Sequence, residues 1–128
     1  MSSLANFVKR FEKIYFTNGE DSKEKWMIMT ASFRRAFKKD LKLSYFTEVK
    51  ASSKYFYISG HMKHKNGTWI YFSTPDVRYE ATGKRWYDDI LYHKAKDEND
   101  YSGGINHYCK LAELLSKANE LARNEKAE

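Results

Sequence analysis

Four histidines and one cysteine are the candidates for a transition-metal site: His61, His64, His93, His107 and Cys109. Tetrahedral zinc takes four such ligands. His61 and His64 are three residues apart in a segment with strand periodicity, so their side chains should point to opposite faces. Neither His107 nor Cys109 belongs to a C-x-x-C or H-x-x-x-H pair. We therefore expect solvated or hydrogen-bonded histidines, no metal site and no cofactor.

Two acidic pairs have the residue types of a general acid and a general base. They are Asp88 with Asp89, and Asp97 with Asp100. Adjacent residues of a strand face opposite sides of a sheet, however, and acidic residues in loops usually only solvate the chain. We expect neither pair to be catalytic.

A phosphate-binding loop and a nucleophile are the remaining chemical hypotheses. Gly103 and Gly104 could expose backbone N–H groups to a phosphate, but they lack the Lys-Ser/Thr ending of a P-loop and the spacing of a dinucleotide-binding turn. Cys109 falls at the start of a predicted helix, and a helix start can lower the pKa of a thiol. The alternative, which we favour, is that Cys109 caps the helix or packs in the core. No Gly-x-Ser-x-Gly elbow occurs. The sequence favours a protein that is not an enzyme, and a small enzyme using the histidines is the third hypothesis.

A cationic row on a predicted helix is a stronger signal. It consists of Lys25, Arg34, Arg35, Lys38 and Lys39, with Lys42 just beyond. Cations at i and i+4 lie on one helix face and can follow a phosphate backbone. The alternative is an ordinary solvated face. A weaker signal is the aromatic segment 54–58, which shares alternating rings with RNA-recognition domains but lacks their glycine and second aromatic position. Such rings are usually core.

Composition indicates a folded domain. The chain has 128 residues, of which 41% are hydrophobic and 16% aromatic. That content is too high for a disordered chain, and the length suits one core. The single cysteine excludes an intrachain disulfide and suggests a reducing, cytoplasmic compartment.

Charge and hydropathy narrow the partners. Residues 1–64 hold 13 Lys or Arg against 6 Asp or Glu, and residues 65–128 hold 10 against 11. The excess of +7 therefore lies in the first half, where it would attract nucleic acid, anionic lipid or an acidic protein face. Charges at positions 9, 10, 12 and 13 interrupt the N-terminal apolar runs, and no uncharged run of eighteen apolar residues occurs. We expect no signal peptide and no membrane association.

Three amphipathic segments predict helices. The first is capped by Ser2 or Ser3, runs to Tyr15 and stops at Thr17-Asn18-Gly19. The second begins at Asp21 or Ser22. Its apolar stripe is Trp26, Met29, Phe33, Phe37 and Leu41. The last has Cys109 or Asn106 near its cap and buries Leu111, Leu114, Leu115, Ala118, Leu121 and Ala122.

Between these helices the periodicity changes to two, which predicts antiparallel strands. They cover Leu43–Val49, Tyr55–Met62, Thr68–Ser73 and Arg85–Lys94. Ala51-Ser52-Ser53 is the expected first turn, and Asn66-Gly67 is expected to form a type I′ hairpin. Pro75 ends the third strand, and 97–104 is expected to be a surface loop. We therefore predict one α+β domain over residues 1–128: an antiparallel four- to five-stranded sheet with two N-terminal helices and one C-terminal helix packed on it.

A resemblance covers roughly the last two thirds of the chain. It is carried by Gly60-His61, by the run 67–79 (GTWIYFSTPDVRY), by Trp86, Ile90-Leu91 and Lys94-Ala95-Lys96, and by 100–106 (DYSGGIN). In these segments the sequence resembles small accessory proteins of plasmids, phages and conjugative elements in Gram-positive bacteria. The resemblance implies a mobile-element setting, in which such domains often act as anti-CRISPR or anti-restriction proteins and need no catalytic residues.

Two functional hypotheses follow. The first is an anti-CRISPR protein that inhibits a host CRISPR effector nuclease, or its ribonucleoprotein, by steric blockade. The second is an accessory protein of the same elements that binds DNA or RNA through the basic helix. Because the chain is basic, we do not expect it to mimic DNA. The predicted contact residues are Arg34, Arg35, Lys38, Lys39, Lys42, Asp76, Arg78, Tyr79 and Tyr101. A monomer or a homodimer is expected.

Overall fold

A computed structural model of the chain describes residues 2–17, 19–54, 56–79 and 83–124. Within them the elements run α1 (Ser3–Phe11), α2 (Glu20–Lys42), β1 (Phe46–Lys54), β2 (Tyr57–His64), β3 (Trp69–Ser73), β4 (Ile90–Ala95), β5 (His107–Cys109) and α3 (Leu114–Arg123). The strands form one antiparallel sheet in the order β1-β2-β3-β4-β5. The predicted α+β class is confirmed, and the sheet has the larger of the two expected strand numbers.

The core lies between the helices and one face of the sheet. The apolar stripe predicted for α2 is buried from Trp26 to Phe37, and Phe37 stacks on Phe72 of β3 with ring centroids 5.5 Å apart. Leu41, the last member of the stripe, is only partly buried. Because α2 buries one side, its opposite side remains in solvent. The buried residues of the other two helices are Leu4, Phe7 and Phe11 in α1 and Leu114, Ala118, Leu121 and Ala122 in α3.

The first turn of α1 is capped from two directions. The Ser2 hydroxyl accepts from the N–H of Ala5 at 3.0 Å, as predicted for a serine cap, and the Ser2 carbonyl accepts from Asn6. The two remaining amides, of Ser3 and Leu4, donate to the carboxylate of Asp40 in α2 at 2.9 and 2.8 Å. The N–H groups of Ser3, Leu4 and Ala5, which have no partner within the helix, are thus all satisfied, and the start of α1 is fixed beside the end of α2.

The predicted extent of the first helix is wrong. The helix ends at Phe11 and not at Tyr15, and the next segment makes tertiary contacts. Phe16 packs edge-on against Trp26, with ring centroids 6.0 Å apart. The Phe11 carbonyl, which a helix reaching Tyr15 would use for the Tyr15 N–H, accepts from the Ile14 N–H at 3.1 Å instead. The Ile14 carbonyl accepts from Arg85 Nη2 at 2.7 Å.

The boundary between the first two helices differs slightly from the prediction. Asn18, part of the predicted stop, lies outside the described residues. α2 starts at Glu20, with Gly19 as its N-cap. Ser22 therefore does not cap the helix; it lies in the first turn, where its hydroxyl accepts from the N–H of Thr17 at 2.7 Å.

The predicted first turn of the sheet is also wrong. Ala51-Ser52-Ser53 is part of β1, which starts at Phe46 and not at Leu43. A Cβ at Gly60, on the paired strand, would lie 2.7 Å from the backbone carbonyl oxygen of residue 50. The small residues of β1 and Gly60 therefore allow the two strands to approach closely. The chain reverses between β1 and β2, next to Phe56, whose φ is 66°. Residue 55, the predicted first residue of the second strand, lies outside the described residues.

The hairpin at Asn66-Gly67 is in the predicted place but has another geometry. His64 donates its N–H to the Thr68 carbonyl at 2.8 Å, and Gly67 donates to the His64 carbonyl at 2.9 Å. Gly67 has φ 92°, whereas Phe56 is the one non-glycine residue with positive φ in the described ranges. A type I′ turn needs positive φ at both central residues, so the loop is a three-residue type I turn closed by a left-handed glycine.

The strand expected from Arg85 starts later than predicted. β4 begins at Ile90, because Trp86 starts a short 3₁₀ turn and packs against Phe7 of α1, with ring centroids 6.5 Å apart. The end of the preceding strand is confirmed, since β3 stops at Ser73, before Pro75. The segment 97–104 contains no helix or strand, as predicted for a loop.

The predicted cap of the last helix needs correction. Cys109 does not lie at a helix start, because it pairs with Ile90 in β5. Asn106 precedes the same strand. A 3₁₀ turn over Leu111–Glu113 then leads into α3, so the helix begins later than either predicted cap would place it.

Candidate functional site

The C-terminal half of α2 presents a continuous cationic surface. We call Arg34, Arg35, Lys38, Lys39 and Lys42 the basic surface, and all five are exposed. The helix period produces it, because the apolar residues between them take the buried positions. Residues four apart on a helix have Cβ atoms about 5–6 Å apart, so the five charges form a compact patch.

No carboxylate among the described residues forms an ion pair with any member of the basic surface. The first half of α2 differs, since Lys23 and Lys25 there pair with Glu20 and Asp21 at 3.4 and 3.5 Å. The acid in the second half, Asp40, is hydrogen-bonded to the start of α1. Positive charge is therefore concentrated at one end of the helix.

A groove runs along the flank of the basic surface, between α1 and α2. It has a volume of about 250 Å³. Arg10 lines this groove and is not among the contact residues predicted from the sequence. The signal that could have found it is the spacing of i, i+3, i+4 and i+7, which both walls share. The walls are Ser3, Asn6, Phe7 and Arg10 from α1 and Ser32, Arg35, Ala36 and Lys39 from α2.

Asp76, Arg78 and Tyr79 form a separate cluster. Arg78 donates from Nη2 and Nε to the Asp76 carboxylate at 2.6 and 3.0 Å. The Arg78 guanidinium also lies 4.5 Å from the Phe56 ring centroid and 5.4 Å from that of Tyr79. Burial would raise the pKa of Asp76, but hydrogen bonds from Arg78 lower it on balance. The ion pair therefore orders the segment that follows β3.

This cluster is distinct from the basic surface. Phe56 contacts the Trp26 ring, with centroids 5.6 Å apart, near the start of α2. Trp26 is roughly 12 Å along the helix axis from Arg34, at about 1.5 Å per residue.

Tyr101 lies on the sheet face opposite the helices. Its ring contacts His61 and Tyr71, with centroids 4.9 and 5.4 Å apart. The loop that carries it crosses this face: His61 Nε2 lies 2.8 Å from the Asp100 carbonyl oxygen, and His93 Nε2 lies 3.2 Å from that of Tyr101. The predicted contact residues therefore occupy three places in the fold.

His61, His64 and His93 make hydrogen bonds within the folded chain. His61 and His93 anchor the loop that carries Tyr101, whereas His64 points to the helix face and bonds Asn119 Oδ1 at 2.7 Å. The expected opposite orientation of His61 and His64 is confirmed. The described residues contain no cluster of three or more metal-ligating side chains.

The glycine pair and the acidic residues of the loop serve local structure. Asp100 accepts from the backbone N–H groups of Lys96, Ser102 and Gly103, and these bonds, led by that of Lys96, lower its pKa. The Gly103 amide is therefore already used. Asp97 accepts from the N–H of the second residue after it in the same loop.

The environment of the cysteine is the opposite of that of a reactive nucleophile. Cys109 is buried in β5, and burial raises the pKa of its thiol to about 12. Reactive cysteines have lowered pKa values. At the other end of the same short strand, the His107 ring stacks on Tyr92 with centroids 5.4 Å apart. Both side chains therefore contribute to packing.

Comparison of the chain with protein families, with curated protein sequences and with solved structures finds no match. In the part of the chain that the structure describes, no helix combines the length and the apolar character needed to cross a bilayer.

Proposed function

We propose that this chain is a non-catalytic protein that binds the phosphate backbone of a nucleic acid through the basic surface of α2. The observation that carries the proposal is the set of five exposed cations without an ion-pair partner among the described residues. Clustered cations release the counterions condensed on a polyanion, and that release drives binding independently of base sequence.

Like charges repel one another within the patch, although the helix dipole favours its two last-turn cations, Lys39 and Lys42. Like charges at i and i+4 destabilise a helix by about 0.2–0.5 kcal/mol per pair. Three such pairs occur here: Arg34 with Lys38, Arg35 with Lys39, and Lys38 with Lys42. A polyanion would relieve this repulsion, which supports a binding role over simple solvation.

The test is the salt dependence of oligonucleotide affinity. Each phosphate contact contributes about −0.9 to the slope of log K against log salt on duplex DNA and about −0.7 on single strands. The variant with Arg34, Arg35, Lys38 and Lys39 all changed to Ala should therefore lose up to about 3.6 from the duplex slope, and most of its affinity.

The control variant removes four exposed cations from elsewhere: Lys84, Lys96, Lys110 and Arg123. It has the same net charge as the test variant, so an effect of net charge alone would be equal in both. Equal losses in the two variants, or a test variant that binds like the unmodified protein, would refute the proposal.

The inhibitor hypothesis is the second proposal, and one observation favours it. Next to Lys42 an apolar groove of about 370 Å³ opens between α2 and α3, and Leu43 and Tyr45 in its lining are 90% and 53% exposed. A CRISPR effector ribonucleoprotein offers both guide RNA for the cations and protein surface for these apolar side chains. Capture of such an effector by the tagged chain after nuclease treatment would support inhibition by protein contact.

A further inference from the structure

We infer that the groove between α1 and α2 is a built phosphate-binding subsite, in which Arg10, Arg35 and Lys39 supply charge and Ser32 and Asn6 supply hydrogen bonds. The inference rests on the proposed function, since it assigns the place where one phosphate of the polymer is held. It adds a second helix, α1, to a binding surface so far confined to α2.

The two walls of the groove run antiparallel and have the same length. The contact of Asp40 with the start of α1 makes the two helices antiparallel, so Ser3 lies towards Lys39 and Arg10 towards Ser32. Each wall spans a rise of about 10 Å, at about 1.5 Å per residue. Cations thus stand near both ends of the groove, on opposite walls.

Charge in the groove has one sign. Three of its eight lining residues are cationic and none is acidic. Within the described residues neither Arg10 nor Lys39 has an ion pair, and the Arg10 guanidinium lies 5.7 Å from the Phe11 ring centroid. One guanidinium group can donate two parallel N–H···O bonds to two oxygens of the same phosphate. Two arginines beside a cavity therefore suit a tetrahedral anion.

Ser32 adds a hydroxyl that is available to a ligand. It lines the groove and is 7% exposed, and its side chain makes no hydrogen bond within the described residues. Its oxygen is not among the fully buried, unsatisfied polar atoms, so it can reach solvent in the free protein and can donate to an anion in the groove. The other buried serine and threonine hydroxyls that the structure describes are satisfied: Thr30 donates to the Met27 carbonyl, Ser22 bonds Thr17, and Thr74 accepts from Ile58.

Size restricts the ligand further. Pockets for drug-sized molecules typically enclose about 300–1,000 Å³. A groove of about 250 Å³ falls below that range, and Phe7 and Ala36 add no groups that could read a base. The volume leaves room for a small ligand, and the three cations of the lining favour an anionic group such as phosphate. The phosphate could belong to a polynucleotide backbone or be free in solution, and the test must separate these sources.

The experiment is a titration of the ¹⁵N-labelled full chain with inorganic phosphate at constant ionic strength, with chloride as the matched anion. Amide signals of Asn6, Ser32 and Arg35 should shift saturably with phosphate and not with chloride. Hydrogen bonds to charged groups are strong enough that Ser32→Ala and Arg10→Ala should each weaken phosphate binding about tenfold or more. Lys9→Ala, which removes an exposed charge on α1 outside the groove, should change it less than about twofold.

A second titration uses an oligonucleotide without terminal phosphates. Displacement of inorganic phosphate from the groove by the oligonucleotide would assign the subsite to backbone phosphates. If phosphate saturates the groove while no oligonucleotide binds, the subsite stands, its ligand is a free phosphate, and the proposed nucleic-acid function fails.

The inference itself is overturned if phosphate shifts these amides no more than chloride does. It is also overturned if Arg10→Ala and Ser32→Ala bind both ligands like the unmodified chain. In either case oligonucleotide binding that still depends on Arg34 and Lys38 would leave the proposed function intact. Circular dichroism of each variant excludes unfolding as the cause of a loss.

Discussion

Asp40 has two effects that a single substitution should separate. Its carboxylate accepts from the N–H groups of Ser3 and Leu4 at 2.9 and 2.8 Å, thirty-seven and thirty-six residues away along the chain. Its negative charge also lies in the basic half of α2. We therefore predict that Asp40→Ala lowers the stability of the fold and does not lower the affinity for nucleic acid.

The magnitude follows from the two hydrogen bonds. Bonds to a charged acceptor contribute about 1.5–3 kcal/mol each, but these are only partly buried and water can replace them, so about 1 kcal/mol each is expected. The free energy of unfolding should fall by about 2 kcal/mol, which for a chain of this length lowers Tm by about 7 °C. Asp40→Asn keeps one acceptor oxygen and should lose about half as much.

The assay is urea unfolding followed by tryptophan fluorescence, with oligonucleotide affinity measured on the same samples. Glu24→Ala is the matched control: it removes an exposed acid from the same helix, and its stability should change by less than about 0.5 kcal/mol. Loss of the Asp40 charge should raise oligonucleotide affinity by up to about twofold at low salt. An Asp40→Ala protein as stable as the Glu24→Ala control would refute the capping argument. A fully folded Asp40→Ala protein with weakened binding would refute the electrostatic one.

Two further predictions concern titratable groups outside the basic surface. With its pKa raised to about 12, Cys109 should be about one part in ten thousand thiolate at pH 8. A thiol reagent should therefore label the native protein far more slowly than the urea-unfolded protein. Stoichiometric labelling of the native protein within minutes would contradict the burial of Cys109. The pKa of Asp76 is lower in the folded state than its ordinary value of 3.8, so its contribution to stability is present above that pH and is lost as the pH falls through the folded-state pKa. The stability difference between the unmodified chain and Asp76→Asn should therefore shrink as the pH is lowered from neutral to below 3.8, and a difference independent of pH would exclude the ion pair with Arg78 as its source.

Local periodicity predicted the features that depend on one element alone. The buried stripe of α2 from Trp26 to Phe37 and its exposed cations both follow from a repeat of about 3.6 residues, and both are confirmed. The reversal at Asn66-Gly67 is likewise local, because a glycine able to adopt positive φ is favoured there whichever turn forms.

Errors arose where distant contacts override local preference. Ala51-Ser52-Ser53 has the composition of a turn, yet it pairs with β2 because Gly60 allows the strands to approach. The first helix stops early, and the residues after it make tertiary contacts, such as the bond from Arg85 to the Ile14 carbonyl. Arg10 was missed for the same reason, since its groove exists only once two helices are packed.

The capping of α1 and the charge of the basic surface depend on one contact. Asp40 lies next to Lys39 in sequence and two residues before Lys42, so a carboxylate turned towards these cations would neutralise part of the patch. Its two hydrogen bonds to α1 hold it at the helix start instead. The packing of α1 on α2, where the Phe7 and Phe33 ring centroids are 5.7 Å apart, brings Arg10 to the groove beside Arg35. The Asp40 contact therefore leaves the positive charge of the basic surface unneutralised, whereas the groove depends on a helix packing that the residue pattern of α2 alone does not show.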